Sequence, residues 1–272
     1  MVKYYTRACN FYYGKTSKEK IKNKTALALN KDKLLSFDTI EIITRKYKKK
    51  INIKDINLQN LKLKKKIKSD LKLITKKKKF KKLNFTKFPI LMGVLNLTPD
   101  SFSDGGKYNK KNLSYNRAKS LIKKGCKILD IGGESTRPGS DEVKQKIEWK
   151  RIGSTLNKLK KFKYFISLDT RKSLIMEKGI KNKINLINDI SGFSHDLNTI
   201  NVLKKYNTPF VIHHMQGNTK SMQKNPKYKN VLLDIYDFFE KKINEIRTKG
   251  IKHNNIILDP GIGFGKNLKH NI

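Results

Sequence analysis

At six places in the chain an apolar run ends abruptly in polar or glycine residues, and this repeat constrains the fold more than any other feature. The first run, Ile90 to Leu95, ends in Asn-Leu-Thr-Pro-Asp-Ser-Phe-Ser-Asp-Gly-Gly at residues 96–106. Buried strands that deliver polar loops have this pattern. The later runs are Ile128 to Ile131, Tyr164 to Leu168, Asn185 to Ile187, Phe210 to Ile212 and Ile256 to Leu258. We therefore predict six short strands with functional side chains at their ends.

Stretches with helical spacing separate these runs, at residues 113–124, 143–160, 197–206 and 231–248. Strands that alternate with helices pair in parallel, so the polar segments gather at one end of the sheet. A β/α barrel has its active site at that end. A doubly wound open sheet also binds ligands at its carboxyl edge and is the structural alternative. Because no G-x-G-x-x-G fingerprint follows any of these strands, the pattern favours the barrel.

Several long motifs resemble those of the dihydropteroate synthases, in that family's order, from about Pro89 to the last residue. They are Asn-Leu-Thr-Pro-Asp-Ser-Phe-Ser-Asp-Gly-Gly from Asn96, Gly-Glu-Ser-Thr-Arg-Pro-Gly from Gly133, Asp-Thr from Asp169, Ile-Asn-Asp-Ile from Ile187, His-Met-Gln-Gly from His214 and Leu-Asp-Pro-Gly-Ile-Gly-Phe-Gly-Lys from Leu258. The resemblance implies a TIM-type (β/α)8 barrel. It also implies a transferase of folate biosynthesis that condenses 6-hydroxymethyl-7,8-dihydropterin diphosphate with 4-aminobenzoate and releases diphosphate in the presence of Mg²⁺.

Three strand-end residues suit recognition of the pterin. The pyrimidine edge of a pterin offers adjacent N–H donors, which the two oxygens of an ionised carboxylate can accept, while an amide complements a mixed edge. We therefore expect Asp169, Asn188 and Asp259 to bind the pterin. Each also has an ordinary structural explanation, because strand-end Asp and Asn residues often cap helices or satisfy loops and Pro-Gly is a turn signal. The ordered set of motifs, rather than any single residue, favours the functional interpretation.

The remaining candidate catalytic residues lie in the first two loops. Asn96 resembles the family's metal-associated asparagine, with diphosphate oxygens and water as the other expected ligands of Mg²⁺. The metal would act as a Lewis acid on the departing diphosphate. The other candidates are Asp104, Thr136 and Arg137. Thr136 is also assigned to the pterin diphosphate site, and the planar guanidinium of Arg137 matches phosphate oxygens. The resemblance implies that both loops close over the aminobenzoate.

The chain differs from the family pattern in two ways within the barrel. After Asp169-Thr170 the family usually has a small residue, Lys and Pro, whereas Arg171, Lys172 and Ser173 follow here, so the next helix is expected to start differently. The sequence also stops at Ile272, before the family's Ser-Arg-Lys and Arg-x-His segments. We expect a barrel that lacks its last two βα units, and we expect the 272 residues alone to be inactive and to aggregate.

Residues 1–87 precede the barrel motifs and are predicted to form a basic extension and linker, with the barrel domain at residues 88–272. The aromatic-rich stretch Tyr4 to Tyr13 and a short strand at Ile40 to Thr44 indicate a small α+β unit up to about Lys54. Lysines dominate from Arg45 to Lys87, which favours part helix and part disordered tether.

Composition bears mainly on partners and location. The net charge of +41 would attract phosphates, nucleic acid or anionic membranes. The charge is spread along the whole chain without an aromatic-interleaved basic motif, so no specific nucleic-acid binding is expected. Two cysteines without a redox or metal motif, and no apolar segment of transmembrane length, favour a cytoplasmic protein without a membrane partner. The resemblance further implies a homodimer.

Two alternative functions stay open on the sequence. A pterin-dependent methyltransferase barrel would share the carboxylate and asparagine sites, although the Thr-Pro-Asp-Ser-Phe and Glu-Ser-Thr-Arg-Pro loops argue against it. The second alternative is an inactive basic binding protein derived from the barrel. His213 and His214 are expected to pack and form hydrogen bonds rather than bind zinc, and Lys266 is expected to be a solvated lysine beside a glycine-rich turn.

Overall fold

The computed structural model describes residues 2–78, 83, 89–98, 110–135, 141–159, 164–217, 221–223 and 225–272, with the backbone alone for residues 110–112. The chain divides into two compact units, Met1–Lys79 and Phe80–Ile272. The predicted domain boundary at residue 87 lies outside the described residues and stays a prediction.

The N-terminal unit is an antiparallel sheet with two helices. Its elements are β1 (Tyr5–Tyr13), α1 (Gly14–Lys22), β2 (Leu27–Ala28), β3 (Leu35–Ile43), β4 (Lys48–Asn52) and α2 (Leu61–Thr75), with 3-10 turns at Leu29–Lys31 and Ile53–Leu58. Strand β3 is central, since it pairs with β1 along its whole length and with β2 and β4. This arrangement confirms the predicted α+β unit.

The folded unit extends past Lys54 because α2 packs on the sheet. Leu63 and Ile67 are one helical turn apart and join Ile40 and Ile42 of β3 in one buried cluster. The Asn60 side chain accepts a hydrogen bond from the Leu63 N–H at 3.0 Å and so caps the start of α2. Helix α2 is the helical part that the sequence predicted for this lysine-rich stretch, and residues 48–58 form the sheet edge and a 3-10 turn rather than a tether.

The second unit is built on six parallel strands that are neighbours in the same order as in the chain. The strands are β5 (Met92–Asn96), β6 (Ile128–Gly132), β7 (Phe165–Asp169), β8 (Leu186–Asp189), β9 (Phe210–His213) and β10 (Ile256–Asp259). A doubly wound sheet reverses its strand order at a switch point, whereas a β/α barrel does not. The described strands therefore have the order of a barrel.

The described helices lie between consecutive strands, except for the last helix, which follows the last strand. They are α3 (Lys110–Lys123), α4 (Gln145–Leu159), α5 (Ser173–Lys181), α6 (Thr199–Tyr206), α7 (Val231–Thr248) and α8 (Leu268–Asn271), with a 3-10 turn at His253–Asn255. Right-handed crossovers between consecutive neighbouring strands bring the connecting helices to one face of the sheet. In the parts of the chain that the structure describes, no helix is long and apolar enough to cross a membrane.

The alternation of side chains along β5 separates the two faces of the sheet. Gly93 is buried, and a Cβ atom there would lie 2.7 Å from the Cys126 Sγ and 3.3 Å from Leu121, so this face packs on α3. Met92 and Val94 are 40% and 55% exposed on the opposite face. That face is the barrel interior, and Asn96 follows on it at the end of the strand.

Candidate active site

The strand register brings the predicted site residues to one end of the barrel. Asn96 is paired with Gly132, Gly132 with Asp169, and Asp169 with Asn188. On the last two strands Asp259 is paired with His213. Because paired residues of parallel strands point to the same face, these side chains border the interior together. The other three predicted residues, Asp104, Thr136 and Arg137, lie outside the described residues.

Asp130 is a buried side chain of this interior that the sequence pattern did not single out. It lies one interior layer below Asp169 on the neighbouring strand, and it is 4% exposed. The Asn188 Nδ2 donates a hydrogen bond to the Asp130 Oδ2 at 3.0 Å. The Asn188 Oδ1 is buried without a hydrogen-bond partner among the described residues. Asp130 therefore orients the Asn188 amide and leaves its oxygen as a free acceptor.

The Asp169 carboxyl lies among other acids. Burial raises the pKa of Asp169 well above its usual range, and the neighbouring carboxyls of Asp130 and Asp189 raise it further. Burial also raises the pKa of Asp130. In the ligand-free protein these effects favour the protonated form of Asp169. A ligand that donates hydrogen bonds to this carboxyl would instead favour its ionised form.

The surroundings of Asp259 favour its ionised form, in contrast to those of Asp169, although both residues lie at the same end of the barrel. Its Oδ2 lies 3.1 Å from the His213 Nδ1, and its Oδ1 accepts the Gly261 N–H at 2.8 Å. The hydrogen bond from His213 is the main cause that lowers the pKa of Asp259 below its usual value. The site therefore contains one carboxyl that favours the neutral form and one that is ionised at neutral pH.

The side chain of Lys266 is buried in the loop after β10 and is 4% exposed. Its Nζ donates to the carbonyl oxygens of Gly261 and Phe264 at 2.9 and 3.0 Å and lies 3.1 Å from the His214 Nδ1. Burial lowers the pKa of Lys266 to about 8. Burial, with the charge of Lys266, lowers the pKa of His214 to about 4, so this imidazole is neutral and accepts from the lysine. The expectation of a solvated Lys266 is wrong.

Both histidines pack and form hydrogen bonds, as predicted. The His214 ring lies edge-on to Phe238 with centroids 4.8 Å apart, and the His213 ring lies edge-on to Phe264 at 4.6 Å. His213 contributes a hydrogen bond to a predicted pterin-binding residue, a role that spacing in the sequence did not indicate, since 46 residues separate it from Asp259.

Glu134 ties together the residues on either side of segment 136–140. It accepts the Val143 N–H at 2.8 Å and two hydrogen bonds from the Arg171 guanidinium at 3.0 and 3.2 Å. Burial acts to raise the pKa of Glu134, but hydrogen bonds from Arg171, Val143 and Lys172 outweigh it and hold the pKa below its usual value. Glu134 is therefore ionised and holds Val143, on the far side of the segment, and Arg171 beside the end of β6.

Lys172 extends this network into the core. Its Nζ lies 3.1 Å from Glu134 and 2.8 Å from the fully buried Glu148, and it donates to the Val143 carbonyl at 2.7 Å. Helix α5 then starts at Ser173, whose N–H donates to the Asp196 carboxylate at 2.8 Å. A proline in place of Ser173 could not make this bond, so the departure from the family pattern has a local structural use.

The oxygen-rich end of the barrel suits a hard divalent cation. In the described ranges no group of three or more His, Cys, Asp or Glu side chains is placed to hold a metal. The exposed Asn96 offers one amide oxygen at the end of β5. Mg²⁺ commonly takes only one or two protein ligands and completes its shell with phosphate oxygens and water. Asn96 therefore fits a magnesium ion that binds together with a diphosphate.

Residues 92–272 match the family model described as pterin binding enzyme. The chain is 42% identical over 193 residues to the dihydropteroate synthase of Clostridium beijerinckii, covering 71% of this chain and 69% of that protein. It is 40% identical over 184 residues to that of Escherichia coli, covering 67% and 65%. The chain thus spans about two thirds of the length of these curated relatives.

Solved structures show the same similarity. The Yersinia pestis dihydropteroate synthase with a sulfonamide drug superposes with a TM-score of 0.64 at 38% identity over 70% of each chain. The Burkholderia cenocepacia dihydropteroate synthase with 7,8-dihydropteroate superposes with a TM-score of 0.59 at 33% identity, over 67% of this chain and 61% of that one. These similarities agree with the barrel order of the six strands.

Proposed function

The chain belongs to the dihydropteroate synthase family, and we propose that the protein condenses 6-hydroxymethyl-7,8-dihydropterin diphosphate with 4-aminobenzoate to give 7,8-dihydropteroate and diphosphate. One observation carries the proposal for this chain: Asp169, Asn188 and Asp259 border one interior at the carboxyl ends of their strands. The names of the relatives favour this reaction over the methyltransferase and over the inactive binding protein.

The acceptors of the site complement the donor edge of a pterin. Asp259 is held ionised and accepts N–H donors with the lone pairs that His213 and Gly261 leave free. Asn188 presents its unpaired Oδ1, because Asp130 occupies its Nδ2. Asp169 gains a charge-assisted hydrogen bond when a ligand donor favours its ionised form. Together these groups would fix the plane and the direction of the pterin ring.

The proposed diphosphate end of the site consists of Asn96 and of residues in the first two loops. Asn96 would hold Mg²⁺, which when bound neutralises the departing diphosphate as a Lewis acid. Asp104, Thr136 and Arg137 keep their proposed catalytic roles, and Arg137 is proposed to contact diphosphate oxygens with its guanidinium. The Glu134 network supports this proposal because it holds Glu134 and Val143, which flank the segment that contains Thr136 and Arg137. Positioning and electrostatics would then supply most of the rate enhancement.

We propose that the protein acts on small molecules only. We also propose that it is a homodimer and that it is located in the cytoplasm. Light scattering coupled to size-exclusion chromatography tests the dimer directly. A mass of one chain across the working concentration range would contradict the dimer without affecting the proposed chemistry.

The test of the proposed function is binding of 6-hydroxymethylpterin by isothermal titration calorimetry to the monodisperse fraction of the 272-residue chain, separated first from the aggregate that the sequence predicts. We expect saturable binding that is lost for the N3-methylated pterin, since the methyl group removes a ring N–H donor. Formation of dihydropteroate from both substrates with Mg²⁺ is measured in parallel. If the chain binds no pterin, or binds the methylated and unmethylated pterins equally, the assigned pocket is wrong.

A further inference from the structure

The geometry points to His213 as a positioning residue that holds the Asp259 carboxylate in the orientation that a ligand N–H pair requires. This inference goes beyond the proposed function and relies on it only for the identity of the ligand. It assigns a role in ligand recognition to a side chain that none of the sequence motifs singled out for that purpose.

Backbone pairing places the two side chains side by side. Asp259 and His213 are register partners on neighbouring parallel strands, so their relative position is set by the sheet rather than by a loop. His213 is 5% exposed, and its Nδ1 lies 3.1 Å from the Asp259 Oδ2. Sites built on strands hold their side chains more accurately than sites built on loops.

The surroundings of the imidazole select its tautomer. The His213 Nε2 is buried and has no hydrogen-bond partner in the described part of the chain. A proton on Nε2 would therefore be a buried donor without an acceptor, whereas a proton on Nδ1 is donated to an ionised carboxylate. The tautomer with its proton on Nδ1 satisfies Asp259 and is the one that the surroundings of the ring favour.

Packing prevents the ring from turning away. Phe264 lies edge-on to the imidazole with centroids 4.6 Å apart. On another side lies Gly261, where a Cβ atom would be 2.8 Å from the His213 Nε2 and would also overlap the His214 carbonyl oxygen. Gly261 has a φ of +68°, so its missing side chain serves both the turn and the close approach to His213.

The two donors leave the carboxylate with acceptors for a ligand. Oδ2 accepts from His213 and Oδ1 accepts from the Gly261 N–H at 2.8 Å. Each carboxylate oxygen has two lone pairs, so each oxygen keeps one acceptor position for a ligand. The last torsion of an aspartate is intrinsically broad. Without His213 only the Gly261 N–H would restrain the carboxylate, and the ligand would have to order it on binding.

Two substitutions separate orientation from packing. In His213→Asn the side-chain Nδ2 can replace the imidazole Nδ1 as donor to Asp259, whereas His213→Leu fills space without a donor. His253→Asn is the matched control, because His253 is exposed and precedes β10 at the opposite end of the strand. Affinity for 6-hydroxymethylpterin is measured by calorimetry for all the variants, with wild type and Asp259→Asn as references.

We expect His213→Leu to weaken pterin binding by about tenfold or more, the effect of losing one hydrogen bond to a charged group. His213→Asn should stay within about threefold of wild type, and His213→Leu should add little to Asp259→Asn because both changes act through the same carboxylate. If His213→Leu binds like wild type, or if His213→Asn is as weak as His213→Leu, the positioning role is refuted.

A ligand-free measurement keeps this inference separate from the proposed function. Nitrogen NMR of the histidine side chains should show a proton on the His213 Nδ1, and Asp259→Asn should shift that Nδ1 resonance. A proton on Nε2 would overturn the inference whatever the ligand. A proton on Nδ1 in a protein that binds no pterin would uphold the His213–Asp259 contact and refute the proposed function.

Discussion

Replacing Asp169 with asparagine separates two effects of this carboxyl: its destabilisation of the ligand-free folded protein and its contribution to ligand binding. Burial and then the carboxyls of Asp130 and Asp189 raise the pKa of Asp169 well above its ordinary value of 3.8. When the pKa of an acid is higher in the folded state than in the unfolded state, folding takes up a proton at a pH between the two values. At any pH above the unfolded-state pKa, such a group therefore lowers the stability of the folded state. Asparagine nearly matches the size of the carboxyl and removes this penalty.

The variant is therefore expected to be more stable than wild type at about pH 7.5 and to lose that advantage as the pH falls to about 3, where Asp169 is largely protonated in the folded and in the unfolded wild-type chain. Ligand binding should change in the opposite direction. A hydrogen bond to a charged group contributes roughly 1.5 to 3 kcal/mol, so losing it should raise the Kd for the pterin roughly 10- to 150-fold. The same substitution should thus stabilise the protein and impair binding.

Thermal unfolding at the two pH values and calorimetry with 6-hydroxymethylpterin measure both effects on the same samples. For wild type, ionisation of Asp169 on binding should release a proton, so the observed enthalpy should depend on the ionisation enthalpy of the buffer and the affinity should rise with pH. Glu240→Gln, an exposed change on α7, is the control. Unchanged affinity in Asp169→Asn, or a variant less stable than wild type near pH 7.5, would refute the reasoning.

Three further predictions concern the surroundings of the site. Arg171→Ala removes two hydrogen bonds to Glu134, so amide hydrogen exchange at Ser135 and at residues 141–143 should speed up while Arg171→Lys stays intermediate; equal exchange in all three proteins would contradict the anchoring role. Lys266→Met leaves buried carbonyl oxygens without a donor and should lower the free energy of unfolding in urea by roughly 1 to 3 kcal/mol, and no loss would show that the lysine is dispensable for the loop. Because the N-terminal unit has its own buried cluster, deleting residues 1–79 should leave the pterin affinity within a few-fold of the value for the whole chain. Loss of pterin binding in a soluble, folded protein that lacks residues 1–79 would disprove this.

The barrel strands could be predicted from sequence because each apolar run is bounded by polar residues within a residue or two of the observed ends. The N-terminal strand β3 was harder. Only Ile40 to Thr44 was predicted, whereas the strand is Leu35–Ile43. Asp38 and Glu41 interrupt its apolar pattern and yet are buried, because Tyr12 donates to Asp38 at 2.7 Å and Arg7 pairs with Glu41 at 2.6 Å. Partners on another strand are invisible to a local pattern.

The residues of the candidate site also fall into two groups, those that a local sequence pattern shows and those that it does not. Strand-end residues such as Asp169 and Asp259 could be identified because they stand where an apolar run stops. Asp130 could not, since it lies inside such a run and its partner Asn188 is 58 residues away. The environment of Lys266 was misjudged because the carbonyl groups that bury it belong to its own loop, whose backbone conformation the sequence does not display.

The most direct test of the central claim is a crystal structure of the chain with 6-hydroxymethylpterin. The account predicts the pterin ring at the carboxyl end of the barrel, with Asp169 and Asp259 accepting its N–H donors and the Asn188 Oδ1 within hydrogen-bond distance of the ring. A pterin ordered at another place, or bound in the interior without contact to these three side chains, would contradict it.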